Sequence, residues 1–69
     1  MPKLVALAIG TRVEKINSVT GDSHEDGAQA VIIEMLGPTP SGEYGYFVHW
    51  DDMPSLPVFI AGSRVRSII

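Results

Sequence analysis

Tyr44, Tyr46 and Trp50 fall on alternate positions of one short stretch that runs directly into Asp51 and Asp52. An aromatic wall rimmed by carboxylates can hold a cation or a peptide, through the negative face of the rings and through charge. The same spacing has a second reading. Alternate residues of a strand share a face, and Val48 falls on this one. Tyr and Trp in strands are mostly packing residues. Core is therefore the favoured reading of the face, and binding at Tyr44, Tyr46, Trp50, Asp51 and Asp52 the competing one.

Asp22-Ser23-His24-Glu25-Asp26-Gly27 has the outline of a calcium loop. Such a loop needs oxygen ligands at alternate positions, a glycine for the sharp turn and a glutamate at position twelve. Here His24 takes a ligand position, and the twelfth residue from Asp22 is Ile33, with Glu34 one place late. A solvated acidic turn is the expectation. His24 and His49 are 25 residues apart and offer no zinc spacing. An ordinary hydrogen bond is expected for His49. The sequence calls for no metal and no cofactor.

Covalent catalysis finds little support. There is no cysteine, no G-x-S-x-G elbow and no phosphate-cradling glycine loop. Asp51 and Asp52 are paired carboxylates, but neighbours in a turn point apart. A fold this small encloses little pocket. The reading is a non-catalytic protein.

Those residues must be held by short elements. Glycine and proline punctuate the chain closely, which favours strands over helices. Apolar runs fall at Leu4–Ile9, Arg12–Ile16, Ala28–Leu36, Glu43–Trp50, Leu56–Ile60 and Arg64–Ile69. Turns are expected at 37–42, 51–55 and 61–63, and the third and fourth runs form a hairpin with a longish loop. In the third run Val31, Ile33 and Met35 would share one face, with Ala30, Ile32 and Leu36 on the other. Two apolar faces suggest a central strand. The expectation is an all-β domain of five or six short antiparallel strands, the pattern of a small barrel.

The order of the pieces resembles an SH3-like barrel, of the kind found in short bacterial domains of unknown function. The resemblance rests on Gly10-x-Arg12-Val13, a long polar loop, Gly27-x-x-x-Val31, Val48-x-Trp50-Asp51-Asp52, Pro57-Val58-Phe59-Ile60 and Gly62-x-Arg64-Val65-Arg66. It covers residues 10–69. It implies a fold more than a role, because such barrels host peptide binders, nucleic-acid binders and parts of larger enzymes.

The chain has 69 residues, a single domain's worth, and buries only about 60% of its unfolded surface at that length. Its net charge of −3 opposes nucleic acid and anionic membranes as general partners. The leading reading is a protein–protein interaction module that also self-associates. The alternatives are a nucleic-acid-binding barrel, with Arg12, Lys15, Arg64 and Arg66 on phosphates and Tyr44, Tyr46 or Phe47 stacking on bases, and an accessory subunit of an enzyme.

Leu4–Ile9 is too short to cross a bilayer and lacks the plan of a signal peptide. The protein is read as cytoplasmic. Residues 1–9 supply an extra strand that must pack against the barrel's own edge or against a second copy. The homodimer is favoured because it buries more apolar surface, with the polar stretch Asn17–Gly27 as a hinge for strand exchange.

Overall fold

The computed structural model describes residues 7–68. They form five strands: β1 (Arg12–Lys15), β2 (Gln29–Leu36), β3 (Gly45–Trp50), β4 (Met53–Ala61) and β5 (Val65–Ser67). A single 3-10 turn, Gly62–Arg64, leads into β5. All pairings are antiparallel, in one sheet ordered β4-β3-β2-β1-β5. The all-β expectation holds. The ladder is not closed, since β4 and β5 are its two edges. No helix among the described residues is long and apolar enough to cross a membrane.

The sheet uses its own face as its core. Val13, Ala30, Ile32, Tyr46, Val48, Trp50 and Val65 are buried in one cluster, drawn from β1, β2, β3 and β5. In a flat sheet β5 would lie three strands from β3, roughly 14 Å away at about 4.8 Å per step. Yet Val65 of β5 packs in the cluster that holds Tyr46 of β3. Strong twist and coiling bring the edge back over the centre. Where the chain leaves β4 for β5, a Cβ on Gly62 would stand 2.7 Å from the Tyr44 carbonyl oxygen and 3.3 Å from the Tyr46 ring.

β2 is central, as its two apolar faces suggested, but the faces are not the simple alternation expected. Ala30 and Ile32 are core. The register then shifts between Ile32 and Glu34. Ile33 is the extra residue of a bulge, and beyond it the alternation inverts. Glu34 now pairs with Phe47, Met35 with Tyr46 and Leu36 with Gly45, and Met35 and Leu36 are exposed.

Other boundaries differ for physical reasons. The turn expected over 51–55 is only Asp51-Asp52, because Trp50 pairs directly with Met53. Pro54 and Pro57 lie inside β4, which tolerates them as an edge strand. Arg64 belongs to the 3-10 turn and not to the last strand. Most of the strand expected over Leu4–Ile9 lies outside the described residues. Its described part is not a strand: Ile9 is in a turn, closed by the Thr11 amide donating to Ala8, and is well exposed.

Ile32 is fully buried at the centre of the sheet. Ile32→Ala is expected to cost about 2–5 kcal/mol. A domain of this size has only roughly 3–10 kcal/mol in total. Urea denaturation should show a midpoint lowered by at least about a fifth, or an unfolded variant.

Candidate functional site

β3 carries the residues singled out from the sequence, and its two ends do different things. Its six residues span roughly 17 Å at about 3.3 Å per step. Tyr44 and Tyr46 stand at the first end. Trp50, Asp51 and Asp52 stand at the other. The five residues therefore form no single wall.

The Trp50 end is packed. Trp50 is 1% exposed and the His24 ring stacks flat on it, with centroids 4.1 Å apart and planes 11° from parallel. His24 Nε2 lies 3.0 Å from Asp52 Oδ1, and Nδ1 lies 3.0 Å from Ser23 Oγ. Nε2–H donating to Asp52, with Nδ1 accepting from the serine hydroxyl, satisfies both contacts. The indole N–H of Trp50 is buried without an acceptor among the described residues. Its ring contributes area and stacking. Asp51 faces the other way and takes a bidentate pair from Arg12, at 2.8 and 2.7 Å, while the same guanidinium reaches Gln29. The two adjacent carboxylates point apart, as expected. His49 lies on the opposite face of the sheet, paired with Val31, and makes no side-chain hydrogen bond among the described residues. That corrects the bond expected for it.

The polar stretch 17–27 is a largely exposed turn, as expected, but hydrogen bonds tie it to the sheet. Lys15 is 3% exposed. Its Nζ donates to Ser18 Oγ at 2.9 Å, to Asp22 Oδ2 at 3.0 Å and to the Ile16 carbonyl at 3.3 Å. Asp22 also accepts from the Val19 amide, and Asp26 from the Ser18 amide, both at 2.9 Å. Asn17, at a left-handed φ of 56°, donates to the Ser63 carbonyl, and Arg64 donates back to the Asn17 carbonyl. The calcium-like carboxylates thus hold the loop's own backbone and one buried lysine. No cluster of three or more histidine and carboxylate groups suited to a metal occurs among the described residues.

The Tyr44 end is open. A cleft of about 270 Å³ lies between the start of β3, the 3-10 turn and β5. Tyr44, Tyr46, Leu7, Ala61 and Val65 give it apolar walls, with Glu43, Ser63 and Arg66 at its rim. Tyr46 is 2% exposed. Its hydroxyl accepts from the Leu7 amide at 2.9 Å, which leaves its own O–H to donate. Arg66 is steadied by Glu14 at 2.6 Å. Sequence reasoning placed the two tyrosines correctly on one face and missed the cleft, because its far wall comes from residues 61–67. The only local signal was Gly62, ahead of Arg64 and Val65.

Three carboxyls sit below the usual aspartate range. Asp22 is lowered by the Val19 amide and then by Lys15, Asp26 by hydrogen bonds from Ser18, and Asp51 by Arg12. Arg12 is raised in turn by Asp51. A folded carboxyl below its unfolded value of about 3.9 binds fewer protons than the unfolded chain. Stability is therefore complete well above that value and is lost as pH falls through the folded value. The melting temperature should hold steady from pH 7 to about 5 and drop below about 4. Asp22→Asn should lower it at pH 7 and flatten the acid limb. His24→Ala should cost about 1–3 kcal/mol from lost stacking and hydrogen bonding, measured by urea denaturation at pH 7.

Compared with protein families, curated proteins and solved structures, the chain matches none of them.

Proposed function

We propose that this chain is a non-catalytic protein–protein interaction module on a small SH3-like barrel, and that it takes a short extended segment of a partner protein in the cleft beside Tyr44 and Tyr46. The barrel reading is supported by the strand order, with β1 between β2 and β5, and by the 3-10 turn that leads into the last strand. The shared core of β3 and β5 supports it as well.

The cleft carries the functional reading. It joins apolar walls to few polar groups, the usual make-up of a site that fixes orientation with a few hydrogen bonds. The Tyr46 O–H can meet a backbone carbonyl of the segment, and Glu43 and Arg66 offer one charge of each sign at the rim.

The non-catalytic reading has its own support. Ser23, His24 and Asp52 are linked by hydrogen bonds and have the types of a nucleophile, a base and an acid. A reacting group must also find a substrate space beside the nucleophile. The cleft is lined by none of the three.

Nucleic acid is the weaker reading. Each of the four described lysines and arginines lies against a carboxylate: Arg12 on Asp51, Lys15 and Arg64 on Asp22, and Arg66 on Glu14. Phosphate would have to displace those partners, and the chain's net charge of −3 opposes it.

The test is selection of peptides from a random display library on the full chain. Selected peptides are expected to bind with dissociation constants of about 1–100 μM. They should shift the amide resonances of Tyr44, Gly62, Ser63 and Val65. Ser63→Arg, at the rim, should weaken them at least tenfold while leaving the circular dichroism unchanged. Failure to select any peptide, or shifts confined to other residues, would sink the proposal. Salt-sensitive binding of single-stranded RNA or DNA in an anisotropy titration would favour the alternative.

A further inference from the structure

The two edges of the sheet are unlike. β5 has three residues with Arg66 at its centre. β4 has nine, Met-Pro-Ser-Leu-Pro-Val-Phe-Ile-Ala, and not one charged side chain. Long edges invite pairing with another strand, and proteins blunt them with charge, proline, bulges or shortness. β4 uses two of these devices, both in its first half. Pro54 and Pro57 lie there, and so does the register shift opposite Val48–Trp50. From Val58 to Ala61 the ladder to β3 is regular and no device remains. Among the described residues β4 pairs with β3 alone.

The surface beside this stretch is apolar. Phe59 is 54% exposed. It stands over Gly45, where a Cβ would meet its ring at 2.5 Å, and meets Phe47 edge to face at 5.9 Å. Leu36, which pairs with Gly45, extends the patch onto β2. Glu34, opposite Phe47, is a charge on this face two strands in from the edge, and Arg12, Glu14 and Arg66 lie farther in, on β1 and β5.

We propose that the Val58–Ala61 edge of β4 pairs antiparallel with the same stretch of a second copy, giving a two-fold dimer with one continuous sheet. The occupant follows from charge. Two-fold antiparallel pairing sets a segment against itself, so a charge near the axis meets its own like, which is destabilising. β5 would bring two Arg66 side chains together. β4 brings none. An axis at Phe59 places the two Phe59 rings side by side on the outer face and Val58 opposite Ile60 of the partner subunit on the core face, which keeps every apolar residue on its own side. This edge shares Ala61 with the cleft, but Phe59 at the axis lies on the face opposite Tyr46, so Phe59→Lys tests the dimer apart from the cleft.

Sedimentation equilibrium of the full chain from about 1 to 200 μM tests it, the range where micromolar association shows. The mass is expected to rise from one chain to two. Phe59→Lys should raise the dissociation constant at least tenfold, whereas Val5→Glu, in the N-terminal segment, should leave it unchanged. Because Phe59 also packs on Gly45 and Phe47, amide exchange of the unaltered protein gives a second reading. Protection of Val58–Ala61 should rise with concentration. A monomer mass throughout, a dimer that survives Phe59→Lys, a dimer lost only in Val5→Glu, or concentration-dependent protection that spares Val58–Ala61 would each overturn it.

Discussion

A single sheet with no α-helix among its described residues has only its own curvature to keep water off its apolar face. Seven side chains are buried on that face. They come from four strands, and Val65 on one edge has to reach Tyr46 near the middle. The requirement explains features that look unrelated. Gly62 lacks a side chain where the chain leaving β4 passes Tyr44 on its way to β5. The 3-10 turn reverses the chain tightly enough to start β5 beside β1. Tyr46 reaches past the core to hold the Leu7 amide, which puts another apolar residue over the open end.

Curling leaves the end near Trp50 uncovered, and the loop between β1 and β2 covers it. A loop of mostly polar residues cannot do this by hydrophobic burial. It does so through Lys15, whose stem lies inside while its ammonium collects Ser18, Asp22 and the Ile16 carbonyl. Leaving a buried ammonium without such partners is far costlier than leaving a surface one. The loop must therefore stay folded over Lys15, and this holds the His24 ring on Trp50. A segment so tied at Lys15, at Ser63 and at Asp52 makes a poor hinge for strand exchange.

The sequence made the period-2 pattern of β3 legible because its four inward residues are large and its neighbours differ. The alternation of Tyr44, Tyr46, Val48 and Trp50 names a face. It does not say what covers that face, so packing and binding stayed in competition. In the fold the two ends of the strand differ, with Trp50 beneath His24 and Tyr44 beside the cleft. The bulge at Ile33 was hidden because Val31, Ile32 and Ile33 are all apolar and β-branched, so a one-residue shift leaves the pattern plausible. The roles of Lys15 and His24 were hidden because their partners follow from tertiary placement: His24 meets Asp52 across 28 residues of sequence. Asp51 and Asp52 read as one acidic pair, yet each is the far end of a different contact.

Charge placement shows how so small a domain divides its surface. Each described cation lies against a carboxylate, and those pairs join loop to strand or strand to strand. Exposed pairs of this kind add little stability singly. Their larger effect is on what they leave bare. With Arg12 turned to Asp51 and Arg66 to Glu14, the described cations gather over β1, β5 and the turn before it. β4 carries no charge, and around it lie Tyr44, Phe47, Phe59 and, on β2, Leu36, with Glu34 and Glu43 as the carboxylates nearby. Surface that is apolar and uncharged is where association releases most water and requires least desolvation of ions. The same arrangement that closes the core on one side thus leaves the other side the less charged.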